Sequence, residues 1–122
     1  MNNNIPFQSI DWVKIPKVEY KGETGIAFWQ TVEFPGLRIR IVEYSANYKA
    51  DHWCEKGHFV YCIEGSFINE LKDGTETLLK AGMSYIVSDK LSSHRSSTKE
   101  GAKLLIVDGD FLKLNSRPDP VA

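Results

Sequence analysis

Apolar and polar positions alternate with period two along most of the chain, the mark of strands with one buried face. Leu37-Arg38-Ile39-Arg40-Ile41-Val42-Glu43-Tyr44 alternates cleanly at first and ends apolar on both faces. Residues 67–71 and 75–79 flank Asp73-Gly74, a pair that favours positive φ and predicts a type I′ hairpin turn. Further strands are predicted at 26–34, 50–54, 58–64, 84–88 and 103–108. Nine glycines punctuate these runs, at roughly the 8–12-residue spacing of a sandwich or barrel. No long window carries the i, i+3, i+4 pattern of a helix. Residues 9–13 predict at most one turn, with Ser9 or Asp11 as its cap. The tail at 115–122 holds two prolines and little to bury, so a loose end is expected. One all-β domain over residues 1–122 is the reading.

Composition agrees with this and narrows the partners. The 122 residues are 42% hydrophobic and 25% charged, close to an average globular protein. The longest apolar runs fall far short of the ~20 residues of a membrane span. The N-terminus lacks the basic and apolar stretches of a secretory signal, so a cytoplasmic protein is expected. Fifteen Lys and Arg against sixteen Asp and Glu give no basic patch for a phosphate backbone, and no nucleic-acid partner is expected. Two cysteines are too few for a disulfide scaffold. In such a chain they act as metal ligands, catalytic groups or buried apolar residues.

The candidate chemistry is concentrated in Asp51-His52-Trp53-Cys54-Glu55-Lys56-Gly57-His58, which holds two of the three histidines. In a strand, residues 52 and 54 leave the same face about 6.6 Å apart. Glu55-Lys56-Gly57 reads as a three-residue hairpin loop ending in the glycine that such loops require. That hairpin sets Cys54 opposite His58, with Cβ atoms about 5 Å apart. Imidazole and thiolate donors suit zinc, copper, nickel or iron better than magnesium or calcium. The plainer alternative is a hydrogen-bonded core histidine and a small buried cysteine. A Cys54–Cys62 disulfide is disfavoured, because the same register puts Cys62 about 13 Å along the strand, beyond bridging distance. Cys62 therefore reads as core. His94 lies in the polar stretch 92–97, which reads as a loop.

His52-x-Cys54-x3-His58-x6-Gly65 resembles the first cupin motif, H-x-H-x(3,4)-E-x6-G, with cysteine for its second histidine and histidine for its glutamate. Gly82 resembles the start of the second motif, G-x5-P-x-G-x2-H-x3-N. There Ser88, Lys90 and Thr98 replace the proline, glycine and asparagine, and His94 falls one residue late. More narrowly, the run 50–58, with Lys80-Ala81-Gly82-Met83-Ser84-Tyr85 and His94-Arg95-Ser96-Ser97-Thr98, resembles small bacterial cupins named for a D-H-C-W motif. The resemblance covers about residues 22–108. It implies a double-stranded β-helix (a jelly-roll barrel) with His52, Cys54, His58 and His94 pointing inward as ligands of a divalent transition metal. A homodimer is also implied. The group brings no assigned reaction with it.

Ligand count separates the possible functions. Zinc held by all four groups is a closed, structural site. An open site on zinc, iron, nickel or manganese leaves positions for substrate or water and favours anionic chelating molecules. The leading expectation is a metal-dependent enzyme of dioxygenase or isomerase type acting on a small organic molecule. A non-catalytic binding or sensing module and a barrel with a structural zinc are the alternatives. Tyr48 and Arg95 are the candidate substrate contacts, with Glu55 and Tyr61 nearby. Glu64 is about 20 Å from His58 and no ligand. Trp53, Phe59 and Tyr61 alternate away from the metal face.

Overall fold

The computed structural model describes residues 4–113; the expected loose tail lies outside the described residues. Within them the chain forms eight strands joined only by antiparallel pairings. These are β1 (Val18–Lys21), β2 (Ile26–Phe34), β3 (Leu37–Tyr44), β4 (His58–Leu71), β5 (Glu76–Lys80), β6 (Ser84–Val87), β7 (His94–Ser97) and β8 (Ala102–Gly109). β2 and β3 have the predicted bounds, but the buried positions of β3 are Arg40 and Val42 rather than the alternating Leu37, Ile39 and Ile41. Two sheets result, one running β1-β2-β3-β8-β4-β6 and the other β5-β4-β7. The fold is an all-β jelly roll.

β4 belongs to both sheets. Its first half pairs with β8 and β6, its second half with β5 and β7. The change of sheet falls at a bulge between Cys62 and Glu64 followed by Gly65, whose φ is +75°. A Cβ on Gly65 would run into the carbonyl of Gly101. The sequence pattern splits this element at the glycine, because a residue that permits a sharp bend resembles one that ends a strand. Gly65→Ala is expected to destabilise by about 2 kcal/mol or more, through backbone strain and steric overlap together. Gly74→Ala separates the two effects. Its φ is +94° with nothing within 4 Å, so strain alone should cost about 1–2 kcal/mol. Denaturant melts of both variants read the difference.

Two local expectations need correcting. The β4–β5 hairpin does not close with a type I′ turn at Asp73-Gly74. Leu71 N–H bonds to the Thr75 carbonyl (2.8 Å), and Gly74 N–H to the Leu71 carbonyl (3.0 Å). Only Gly74 has positive φ, so the loop is Lys72-Asp73-Gly74, a turn ending in a glycine bulge. The Asp73 carboxylate accepts from Thr75 N–H (2.9 Å) and stabilises this alternative. Residues 50–54 do not form a strand, and polar His94–Ser97 does, for reasons that emerge at the site. The expected turn near the N-terminus is a 3₁₀ turn over Trp12–Lys14, capped by Asp11.

The core between the sheets is built from Ala27, Val42, Val60, Cys62, Phe67, Leu79 and Leu104. Along β8 the inward positions are Ala102, Leu104, Ile106 and Asp108, so the buried face turns from apolar to charged at one end. Arg40 on β3 and His58 at the start of β4 are buried at that same end. No helix among the described residues is long and apolar enough to cross a membrane.

Candidate metal centre

Three potential ligands meet at the charged end of the barrel. Cys54 Sγ, His58 and His94 each offer an atom within 4.8 Å of the others. His58 opens β4 and His94 opens β7, so both are fixed by strand pairing. Cys54 is fixed by main-chain bonds to His94 in both directions: Cys54 N–H to the His94 carbonyl (2.8 Å) and His94 N–H to the Cys54 carbonyl (3.0 Å).

The hairpin expected at Glu55-Lys56-Gly57 does not form. The segment pairs instead with the far side of the barrel. Ala50 N–H bonds to the Ser96 carbonyl (3.0 Å), Lys90 N–H to the Glu55 carbonyl (2.8 Å), and Gly57 N–H to the Asp89 carboxylate (2.6 Å). Lys49 lies opposite Ser97, yet Cys54 lies opposite His94. Two extra residues are therefore accommodated around Asp51, His52 and Trp53, and period-two reasoning fails across them. In an unbroken register His52 would face His94; with the insertion Cys54 does. His52 is thrown outward, with 77% of its side chain exposed and Nδ1 on the Asp51 carboxylate (2.6 Å). It lines the same cavity but is not among the converging ligands.

The two ring orientations are set from behind. His58 Nδ1 donates to Asp108 Oδ2 (3.1 Å), which leaves Nε2 facing Cys54 Sγ at 3.5 Å. His94 Nδ1 donates to the Ser92 carbonyl (2.8 Å), and its Nε2 is buried without a hydrogen-bond partner. Asp108 is 1% exposed and also accepts two bonds from Arg38 and one from Arg40, each 3.0 Å. Burial alone would raise its pKa. The His58 and Arg38 bonds and the two guanidinium charges outweigh burial and hold the carboxyl well below the usual range. For the Cys54 thiol, burial again acts upward, but contact with His58 and His94 prevails and lowers it to about 5. For His94, burial acts downward and is overcome by the Cys54 sulfur and the Ser92 carbonyl, which raise it. The two imidazoles thus favour the thiolate form of Cys54, the form that binds metal.

These residues fit a metal. A tetrahedral ion with Zn–S near 2.3 Å and Zn–N near 2.05 Å sets a sulfur and a nitrogen about 3.6 Å apart, and the Sγ–Nε2 distance here is 3.5 Å. The lone pair of His94 Nε2 has no other partner. Both imidazoles carry the outer hydrogen bond that metal-binding histidines use to fix their tautomer.

Next to the ligands lies a cavity of about 200 Å³. Trp29, Tyr44, Tyr48 and Tyr85 supply aromatic wall, with Tyr44 stacked on Tyr48 at 4.3 Å. Burial pushes all three phenols up, so they stay neutral. Arg95 lines the cavity too, but its Nε donates to Glu70 (2.9 Å) and its guanidinium lies over Trp53 (4.3 Å). Cys62 is fully buried core, and both cysteines are free thiols. Asp108, Arg38 and Arg40 escape a motif-based reading. The signal for them is phase, since Asp108 falls on the inward period of β8 and Arg40 on that of β3.

No protein-family model matches the sequence, and comparison with curated proteins gives no match. Solved structures do match in shape. Ectoine synthase from P. lautus is 17% identical with a TM-score of 0.70, over 89% of this chain and 80% of that one. An RmlC-like cupin from Shewanella frigidimarina is 18% identical with a TM-score of 0.66, over 85% and 91%. The iron(II) form of HppE is 18% identical with a TM-score of 0.68, over 88% and 62%.

Proposed function

The chain has the cupin fold, and from that premise we propose that it binds one divalent transition metal through Cys54 Sγ, His58 Nε2 and His94 Nε2. A small organic molecule is bound and transformed in the adjoining cavity. The observation that carries this reading is the buried, unpartnered Nε2 of His94 beside the Cys54–His58 pair. Three protein ligands are the number of an open, catalytic site rather than a closed one. The outward position of His52 supports the open reading over a structural zinc with four ligands. A neighbour described as an iron(II) protein supports a metal in this fold, and another described as a synthase supports an enzymatic use of it.

When bound, the metal supplies Lewis acidity and a coordination position for a substrate oxygen or water. The chain's own groups do the rest. Asp108 holds the Nδ1 proton of His58, and the Ser92 carbonyl holds that of His94, so each ring presents a lone pair towards the centre. The aromatic wall displaces water and orients the apolar body of the ligand. A second reading, a binding module without turnover, is favoured by one observation. Among the described residues lining the cavity there is no Asp or Glu, and the tyrosines are held neutral, so neither a carboxylate nor a phenolate base stands beside the metal.

The test is elemental analysis of the untagged protein, wild type beside Cys54→Ser. The expected result is about one zinc, iron, nickel or manganese per wild-type chain, with weaker retention in the variant. A wild type that holds no metal even after reconstitution overturns the proposal.

A further inference from the structure

The cavity is unbalanced in charge. Arg38, Arg40, Lys56 and Arg95 line it, and no Asp or Glu does among the described residues. Arg95 is matched by Glu70 behind it. Arg38 and Arg40 share one carboxylate, Asp108, which also serves His58. One guanidinium of that pair therefore has no carboxylate of its own, and the Cys54 sulfur in the same cavity faces His58 and His94 instead. Arg38 is part-exposed and water can screen it, but the Arg40 side chain is only 5% exposed. Its Nε–H is buried and makes no hydrogen bond, and its guanidinium lies 4.5 Å from the centre of the Trp29 ring, itself a cavity wall. A buried cation with an unmet donor is costly unless a partner arrives.

We propose that the missing partner is the carboxylate of a small organic acid, anchored by Arg40 in the cavity beside the metal ligands. This rests on the open metal site proposed above and adds the class of molecule. A guanidinium matches a carboxylate in planar, charge-assisted geometry. The remaining walls set the rest of the acid. Aromatic rings and the side chains of Val42 and Ile106 face a compact apolar or aromatic body. The volume of about 200 Å³ is a little more than the ~150 Å³ that admits benzene. A benzoate-sized monocarboxylate fits. Arg40 and His58 bond the same oxygen of Asp108, so an acid held by Arg40 lies within a few ångströms of the ligand cluster. Arg95, expected from sequence as the carboxylate contact, has its charge answered by Glu70, and the anchoring role passes to Arg40.

Calorimetric titration of the full chain with benzoate and benzamide, and with pyruvate and pyruvamide, tests this. Metal content is measured in the same samples. In the metal-loaded wild type at least one acid is expected to bind about tenfold or more tighter than its amide, the size of one charge-assisted hydrogen bond. The preference should persist in the chelated wild type, where the metal cannot cause it, and disappear in Arg40→Gln. No acid preferred over its amide, or a preference that vanishes on chelation, overturns the inference. So does one that survives in a folded Arg40→Gln. If that variant does not fold, Arg40→Lys, which keeps the charge but loses the planar fork, is expected to weaken the preference, and an unchanged preference there overturns the inference. A chain that takes up no metal yet prefers the acid would instead sink the metal reading and leave the anion site standing.

Discussion

Asp108→Ala should lower the melting temperature by roughly 12–20 °C, the largest stability loss expected of any single substitution outside the apolar core. The carboxylate is 1% exposed and accepts from Arg38, Arg40 and His58. Removing it leaves a buried Arg40 and a buried imidazole without their shared acceptor. Breaking such a buried network costs about 3–5 kcal/mol, and a domain of this size converts each kcal/mol into about 4 °C or more. Arg38→Ala should cost less, since Arg38 is part-exposed and Asp108 keeps its other two donors. A melting temperature within about 3 °C of wild type for Asp108→Ala, roughly one kcal/mol or less, would show that the network does not hold this end of the barrel. The pH dependence has a definite sign. The folded pKa lies below the unperturbed 3.8, so the stabilisation is complete above that value. It is lost as pH falls further, because the unfolded chain takes up a proton that the folded chain refuses. Acid melts of wild type should therefore steepen below about pH 4, and those of Asp108→Asn less so.

His94→Ala should abolish stable metal binding, whereas His52→Ala should leave it intact. Zinc affinities of about 10–16 kcal/mol spread over four ligands give roughly 3 kcal/mol for each, or a hundredfold loss or more per ligand removed. Both histidines lie near the cavity, but only His94 has a buried nitrogen with nothing else to bind. Competition with a chromogenic chelator measures the two affinities. Equal losses in both variants would mean that the 51–53 segment folds inward when metal is present, giving the four-ligand, closed centre.

The comparison of His52 with His94 also shows where a sequence can and cannot be read. Strands β2 and β3 are legible in extent but not in phase, since the buried positions include Gln30 and Arg40 while Ile39 and Ile41 take the other face. The first-motif spacing places Cys54 near His58, and they are near, but by a different route. Strand geometry supposed that the chain turns back on itself at Gly57. The main chain of 48–54 finds its partners on β7 instead, a polar strand whose His-Arg-Ser-Ser sequence carries no alternation to announce it. Pairing between segments some forty residues apart is invisible to local pattern, and so are the two extra residues that expel His52. His94 enters the cluster in keeping with what the cupin resemblance implies, although the local pattern around it reads only as a loop. Arg40 and Asp108 lie in plain sight on inward-facing positions, but a motif search looks for ligands and passes over the charges that orient them.

The reciprocal pair of main-chain bonds between Cys54 and His94 carries a consequence in time. Two of the three ligands share one rung, so neither backbone can move away without breaking bonds to the other. Their amide protons should exchange with solvent together, with one opening rate. A bound ion, tied to both side chains, should slow the exchange of both amides together. Hydrogen exchange at these two positions, with and without metal, therefore reads how firmly the ion ties this rung together.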